Sequence, residues 1–144
     1  MNQAVTTKHK NKTPTTLLAV FLGGVGAHRF YLYGIKDFWA WNYVMAFILF
    51  ACAVFLSQSP HTLTISIIAL FPVSIFAGWI EAIVTGLTAD AKWDAKHNAQ
   101  SQRKSASGWP LIVLLVLTFA LGITTFIFCV ARATDLFLTG GAFG

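Results

Sequence analysis

Charge is what this sequence has least of. Only 10% of its 144 residues are charged, with five acids against ten Lys and Arg. A chain of this length cannot hide 56% hydrophobic residues, at a mean hydropathy of +0.68, inside one water-soluble core. The surplus apolar surface must face lipid. Cysteine is scarce too: Cys52 and Cys129 fall in separate apolar runs with no Cys or His at ligand spacing. That excludes a zinc site or redox pair and leaves them as small buried hydrophobes. Paired carboxylates and a Gly-x-Ser-x-Gly elbow are missing, so glycoside and acyl-transfer chemistry have no support. The net charge of +5 reflects the shortage of acids. The aromatics sit inside the hydrophobic runs or at their ends, not interleaved with basic residues on a soluble face, so no nucleic-acid partner is expected.

What is present is a series of long uncharged stretches. Phe38 to Leu56 is long enough to cross a bilayer, and Trp39, Trp41 and Tyr43 suit its interfacial end. A turn at Ser57-Gln58-Ser59-Pro60-His61 leads into Leu63 to Thr85, which spans with some tilt despite Pro72 and Gly78. Trp109-Pro110 opens the last span, with Pro suited to a first helical turn and Trp to the headgroup level. The fold expected is all-α: an integral membrane helical bundle of three full spans plus a short, glycine-broken first segment, either re-entrant or a fourth span. Residues 1–14 read as a disordered basic tail, 15–87 as the main membrane domain, 88–108 as an interfacial helix and linker, 109–133 as an additional transmembrane helix and 134–144 as a flexible tail. Trp39, Trp41, Trp93 and Trp109 are the expected interfacial anchors. Lys8, Lys10 and Lys12 before an apolar run, with Val25-Gly26-Ala27 after it, also imitate a secretory signal.

Basic residues discriminate between the topologies. Four spans divide them almost evenly between the two sides. A first segment that dips in and returns at its glycines puts Lys8, Lys10, Lys12, Arg29, Lys36, Lys92, Lys96, Arg103 and Lys104 on the cytoplasmic side, leaving Arg132 alone opposite. Charge favours the re-entrant arrangement and a cytoplasmic N-terminus. A chain reversing at Gly23-Gly24-Val25-Gly26 inside hydrocarbon must then have its peptide groups satisfied by neighbouring helices.

Gly23, Gly24 and Gly26 do not make a phosphate loop, because no strand precedes them and no Gly-Lys-Ser follows. Close packing or a backbone bend is the reading. Arg29 at membrane depth needs a partner, and Glu81 is the one acid inside another apolar segment, so a buried Arg29 to Glu81 ion pair is expected. The competing reading has each side chain snorkel separately to the interface. In the re-entrant arrangement His28 and His61 would sit at opposite faces, which argues against haem between them. Thr118 and Gly122, four apart, could let the last helix approach another closely.

The run Leu22-Gly23-Gly24-Val25-Gly26-Ala27-His28-Arg29-Phe30-Tyr31-Leu32-Tyr33-Gly34 resembles the signature of the TM2 domain family, two transmembrane helices joined by a short linker. His28 stands where that family often has Asp, Tyr33 interrupts its Leu-Gly, and Trp79-Ile80-Glu81 stands in for a later Trp and acid. The resemblance covers roughly Thr15 to Leu87. It implies a membrane protein, makes Gly23, Gly24, Gly26, His28, Arg29, Phe30 and Tyr31 motif residues, and implies no reaction or cofactor. The compact format with an extra C-terminal helix resembles bacterial members, so a bacterial inner membrane is the expected location. The expected partners are the lipid bilayer and either a second copy or another membrane protein. The expected function is that of a noncatalytic module acting through helix association; the alternative is a small transporter or conduit subunit with a polar site at Arg29 and Glu81.

Overall fold

A computed structural model describes residues 9–56 and 62–141. Every regular element among the described residues is helical: α1 Lys12–Leu22, a short 3-10 turn Gly23–Val25, α2 Ala27–Tyr33, α3 Phe38–Leu56, α4 Thr62–Leu87, α5 Asp90–His97 and α6 Trp109–Thr139. The turn proposed at residues 57–61, with His61, lies outside the described residues. Among the described residues two helices, α3 over Phe38–Phe55 and α6, are long and apolar enough to cross a membrane; Phe71–Leu87 of α4 passes the same test only when counted with α5, which is turned from it by 108°.

The local chemistry explains the boundaries. Asp37 starts α3, its carboxylate accepting the Ala40 amide at 3.1 Å in the manner of an N-cap. Pro110 sits in the first turn of α6, where its missing N–H costs no hydrogen bond. Gly140, at φ +69°, ends that helix.

The first segment doubles back. With 11 residues, α1 is about 16 Å long, roughly half the hydrocarbon thickness, so it cannot cross alone. Gly26 takes the left-handed conformation at φ +72°, and its amide bonds Gly23 O at 2.9 Å. The chain then returns through α2 until the Tyr31 hydroxyl accepts the Asn11 amide at 3.2 Å and Lys10 Nζ donates to Leu32 O. Both ends of the hairpin therefore lie on one side, in the re-entrant arrangement and not as a fourth span.

The hairpin rests on α4, which runs antiparallel to α1. Lys12 reaches Thr88 O at 2.6 Å, Trp79 Nε1 donates to Val20 O at 3.1 Å, and Gly23 meets Gly78 backbone to backbone. A Cβ built on Gly78 would stand 2.6 Å from Gly23 Cα, so only a glycine pair allows this approach. α3 packs antiparallel on α4, with Phe50 stacked on Phe71 at 4.5 Å between ring centroids. α6 covers another face of α4: Leu115 fills the notch at Gly86, Thr118 is buried, and Trp79 lies beside Gly122. The last two are the close approach anticipated for Thr118 and Gly122.

Four expectations are corrected. The basic tail does not run to residue 14, because α1 starts at Lys12 and Lys12 itself is 5% exposed. The flexible C-terminal tail does not begin at 134: α6 continues through Thr139, with Arg132 and Asp135 one turn apart neutralising each other at 2.7 Å. Trp93 is not an interfacial anchor; it is 3% exposed because its indole N–H is turned inward onto Lys10 O at 2.9 Å. Cys52 and Cys129 are exposed on outward helix faces and not buried.

Gly78→Ala should force α1 off α4 and lower stability in detergent by about 1–3 kcal/mol, the usual range for overpacking. Val84→Ala, at a position 62% exposed on the same helix, should stay within about 0.5 kcal/mol. Thermal unfolding in detergent measures both, and equal midpoints for the two variants would contradict the glycine contact.

Candidate functional site

Four elements bring charge together at one level of the bundle. α2 carries His28 and Arg29, the loop before α3 carries Asp37, α3 carries Tyr43, and α4 carries Glu81. Glu81 accepts three hydrogen bonds: from Arg29 Nη1 at 3.0 Å, from Tyr43 Oη at 3.0 Å and from His28 Nε2 at 2.5 Å. A carboxylate has about four acceptor positions, so most of its capacity is met. Arg29 Nε donates to Asp37 Oδ2 at 2.8 Å, and its guanidinium lies 5.4 Å from the Tyr33 ring centroid. Because the ionised carboxylate can only accept, the proton in the His28 contact belongs to Nε2. His28 is 1% exposed, its ring set edge-on to Tyr43, and its Nδ1 has no hydrogen-bond partner among the described residues.

The structure therefore places Arg29 and Glu81 in contact rather than snorkelling apart. It also shows partners that the sequence reading missed. Asp37 was legible as a helix cap, an acid just before an apolar run, but nothing in one dimension pairs it with Arg29. Tyr43 read as an interfacial aromatic. His28 joins Arg29 and Glu81 only in the transporter reading of the sequence, as a shared polar site, and no spacing in the sequence shows its direct hydrogen bond to Glu81.

The remaining motif residues are architectural by position. Gly24 lies against Ile75 and Phe71, and Gly26 against Tyr43 and Ala40 O. Phe30 packs edge-on to Trp41 at 5.6 Å, and Tyr31 closes the hairpin through Asn11. Of the other proposed anchors, Trp39, Trp41 and Trp109 are all exposed, and Trp41 Nε1 is fixed on Ile35 O at 2.7 Å. Among the described residues no three His, Cys, Asp or Glu side chains converge as a metal site.

A second polar cluster clamps the open end of the hairpin. Lys12 Nζ donates to Thr88 O and to Asp90 Oδ1, each at 2.6 Å. Asn98 holds the Lys10 backbone on both sides, its Oδ1 accepting Lys10 N at 2.8 Å and its Nδ2 donating to Lys10 O at 3.0 Å. Asp90 and Asp94 in turn fix the linker, accepting the amides of Ser107 at 2.8 Å and Ser105 at 2.7 Å. The Lys12 ammonium and the Ser107 donors bring Asp90 down to about 2; Asn98 and Ser105 do the same for Asp94.

Apolar helices of spanning length, and a re-entrant hairpin held by an ionic knot, define a helical membrane protein. Within it, residues 8–56 match the family model of the TM2 domain. The match begins before Thr15 and ends with α3, so Trp79 and Glu81 lie beyond it although the sequence resemblance extends over them. No curated protein and no solved structure matches the chain.

Two measurements test this geometry. In a double-mutant cycle, Arg29→Ala and Glu81→Ala should be non-additive by about 0.5–3 kcal/mol in detergent stability, the range for contacting residues in one network. Additive effects would separate the pair. For the clamp, both carboxyls lie below the ordinary value of 3.8, so their contribution is complete above about pH 4 and is lost as pH falls toward 2. Hydrogen-exchange protection of the Ser105 and Ser107 amides should fade across that window, and Asp94→Asn should remove the pH dependence at Ser105.

Proposed function

We propose that this protein is a noncatalytic membrane module that associates, through its helices, with a second copy or with another membrane protein. The observation that carries this reading is that the ionisable groups of the motif are engaged with one another. Arg29 is held by Asp37 and Glu81, and Glu81 by three donors, which is the arrangement of a structural knot. A catalytic acid or base would need a free proton site facing a substrate. Helix association has surface available: α6 presents Ile112, Val116, Phe119, Ile123 and Ile127 outward.

The charge distribution supports a cytoplasmic N-terminus, and the resemblance to compact bacterial members is what supports a bacterial inner membrane. Lys10, Lys12, Lys36, Lys92, Lys96, Arg103 and Lys104 belong to the hairpin end, the loop before α3 and the α5 segment, whereas Arg132 lies near the far end of α6.

One observation favours a second reading, a conduit or small transporter subunit: Arg29 and Glu81 also line a cavity of about 450 Å³. Glu81→Gln separates the two. In a module, the variant should lose assembly or thermal stability, seen as loss of the crosslinked species recovered from native membranes. In a conduit, it should keep its fold and lose solute flux in liposomes, and that result would overturn the first reading.

A further inference from the structure

The cavity between α3 and α4 is lined by Trp39, Asn42, Tyr43, Val73, Ala77 and the Arg29–Glu81 pair. Its volume, about 450 Å³, falls within the roughly 300–1,000 Å³ typical of small-ligand sites. Two facts about it conflict unless something polar fills it. The helices on either side are apolar and outward-facing, with Val73 63% exposed, so the cavity opens where lipid lies. Yet the Glu81 side chain is 34% exposed and that of Arg29 18%. An ionised group facing acyl chains is costly.

We propose that the cavity holds the headgroup of an aminophospholipid, its phosphodiester on Arg29 and its ammonium on Glu81, with the acyl chains leaving along Val73 and Ala77. Donor and acceptor capacity determine the chemistry. A guanidinium has five N–H donors, and the hydrogen bonds to Asp37 and Glu81 use two, leaving donors for phosphate oxygens. Glu81 keeps about one acceptor position for an ammonium N–H. Charge agrees: Asp37 and Glu81 outnumber Arg29 and leave one negative charge in excess, so an anionic headgroup would meet net repulsion, whereas a zwitterion adds no net charge and sets its ammonium beside the carboxylate. The depth also fits. Glu81 lies six residues from the end of α4 at Leu87, about 9 Å along the helix, within reach of a headgroup drawn slightly inward. Trp39, 62% exposed on the rim, suits the same boundary.

The site is independent of whether the protein self-associates, and the test separates the two. Protein purified in mild detergent from membranes containing phosphatidylethanolamine and phosphatidylglycerol should retain about one phosphatidylethanolamine per chain on lipid extraction and mass spectrometry. In vesicles, replacing phosphatidylcholine by phosphatidylethanolamine should raise the unfolding temperature, because the quaternary ammonium lacks N–H donors; phosphatidylglycerol should not. Ala77→Phe, which fills the cavity, should cut retention at least tenfold. Val73→Trp, on an exposed rim position, gives the same reading should the first variant fail to fold. Equal retention of phosphatidylethanolamine and phosphatidylglycerol, or retention unchanged in both variants, would overturn the proposal. So would loss of a dimer in these variants with bound lipid unchanged, which would assign the cavity to a protein interface.

Discussion

A helix cannot be broken at membrane depth unless another group takes up the backbone bonds the break leaves open, and the rest of this structure follows from how that is done. The orphan carbonyl of Val20, at the end of α1, is capped by the indole of Trp79. One residue earlier, Gly78 gives the turn its room; two residues later, Glu81 takes the side chains of the returning α2. A single turn of α4 thus supplies space, a backbone cap and a counter-charge, in the order in which the hairpin meets them. That helix must be long and rigid enough to hold the three in register, which explains a hairpin of local turns docked on a helix distant in sequence.

The hairpin is secured at both ends, by different means. At its tip the restraint is steric, glycine on glycine, reinforced by the Trp79 cap. At its open end the restraint is polar and lies outside the apolar bundle: Lys12 on Thr88 and Asp90, Lys10 on Asn98 and Trp93. α5 consequently serves as a bracket. The 108° bend after Leu87 turns it across the hairpin, and burying Trp93 there gives the bracket an apolar centre. This polarity gradient matches the medium, since hydrogen bonds that compete with water are affordable at the boundary and close packing suffices where water is absent.

Legibility in the sequence divided along the same line. The spans were readable because hydrocarbon demands long uncharged runs, and Arg29 with Glu81 was readable because ionisable groups inside such runs are so few. The clamp was not. Lys10 and Asn98 are 88 positions apart, and a side chain that pairs with backbone leaves no periodic trace. Lys12 reads as solvated tail in any window around it, and Trp93, flanked by Lys92 and Asp94, carries the pattern of an interfacial residue while pointing inward. The extension of α6 past Arg132 was hidden for a related reason: Arg132 and Asp135 each suggest an end to the apolar span, yet one turn apart on a helix they neutralise each other.

Arg29 has the most constrained task of any residue here. It joins an acid at the boundary, Asp37, to one at depth, Glu81, so α2, α3 and α4 are all fixed through one side chain. The two bonds leave from different edges of the guanidinium, Nε toward Asp37 and Nη1 toward Glu81, which a rigid planar fork can do at once. A lysine ammonium is a point charge on a flexible stem and would settle on one acid, leaving the other uncompensated. Since Asp37 also caps α3, losing that contact would loosen the first turn of a spanning helix as well as the hairpin. The position therefore demands arginine for its geometry more than for its charge, and the glycines before it are what allow the chain to present it at that depth.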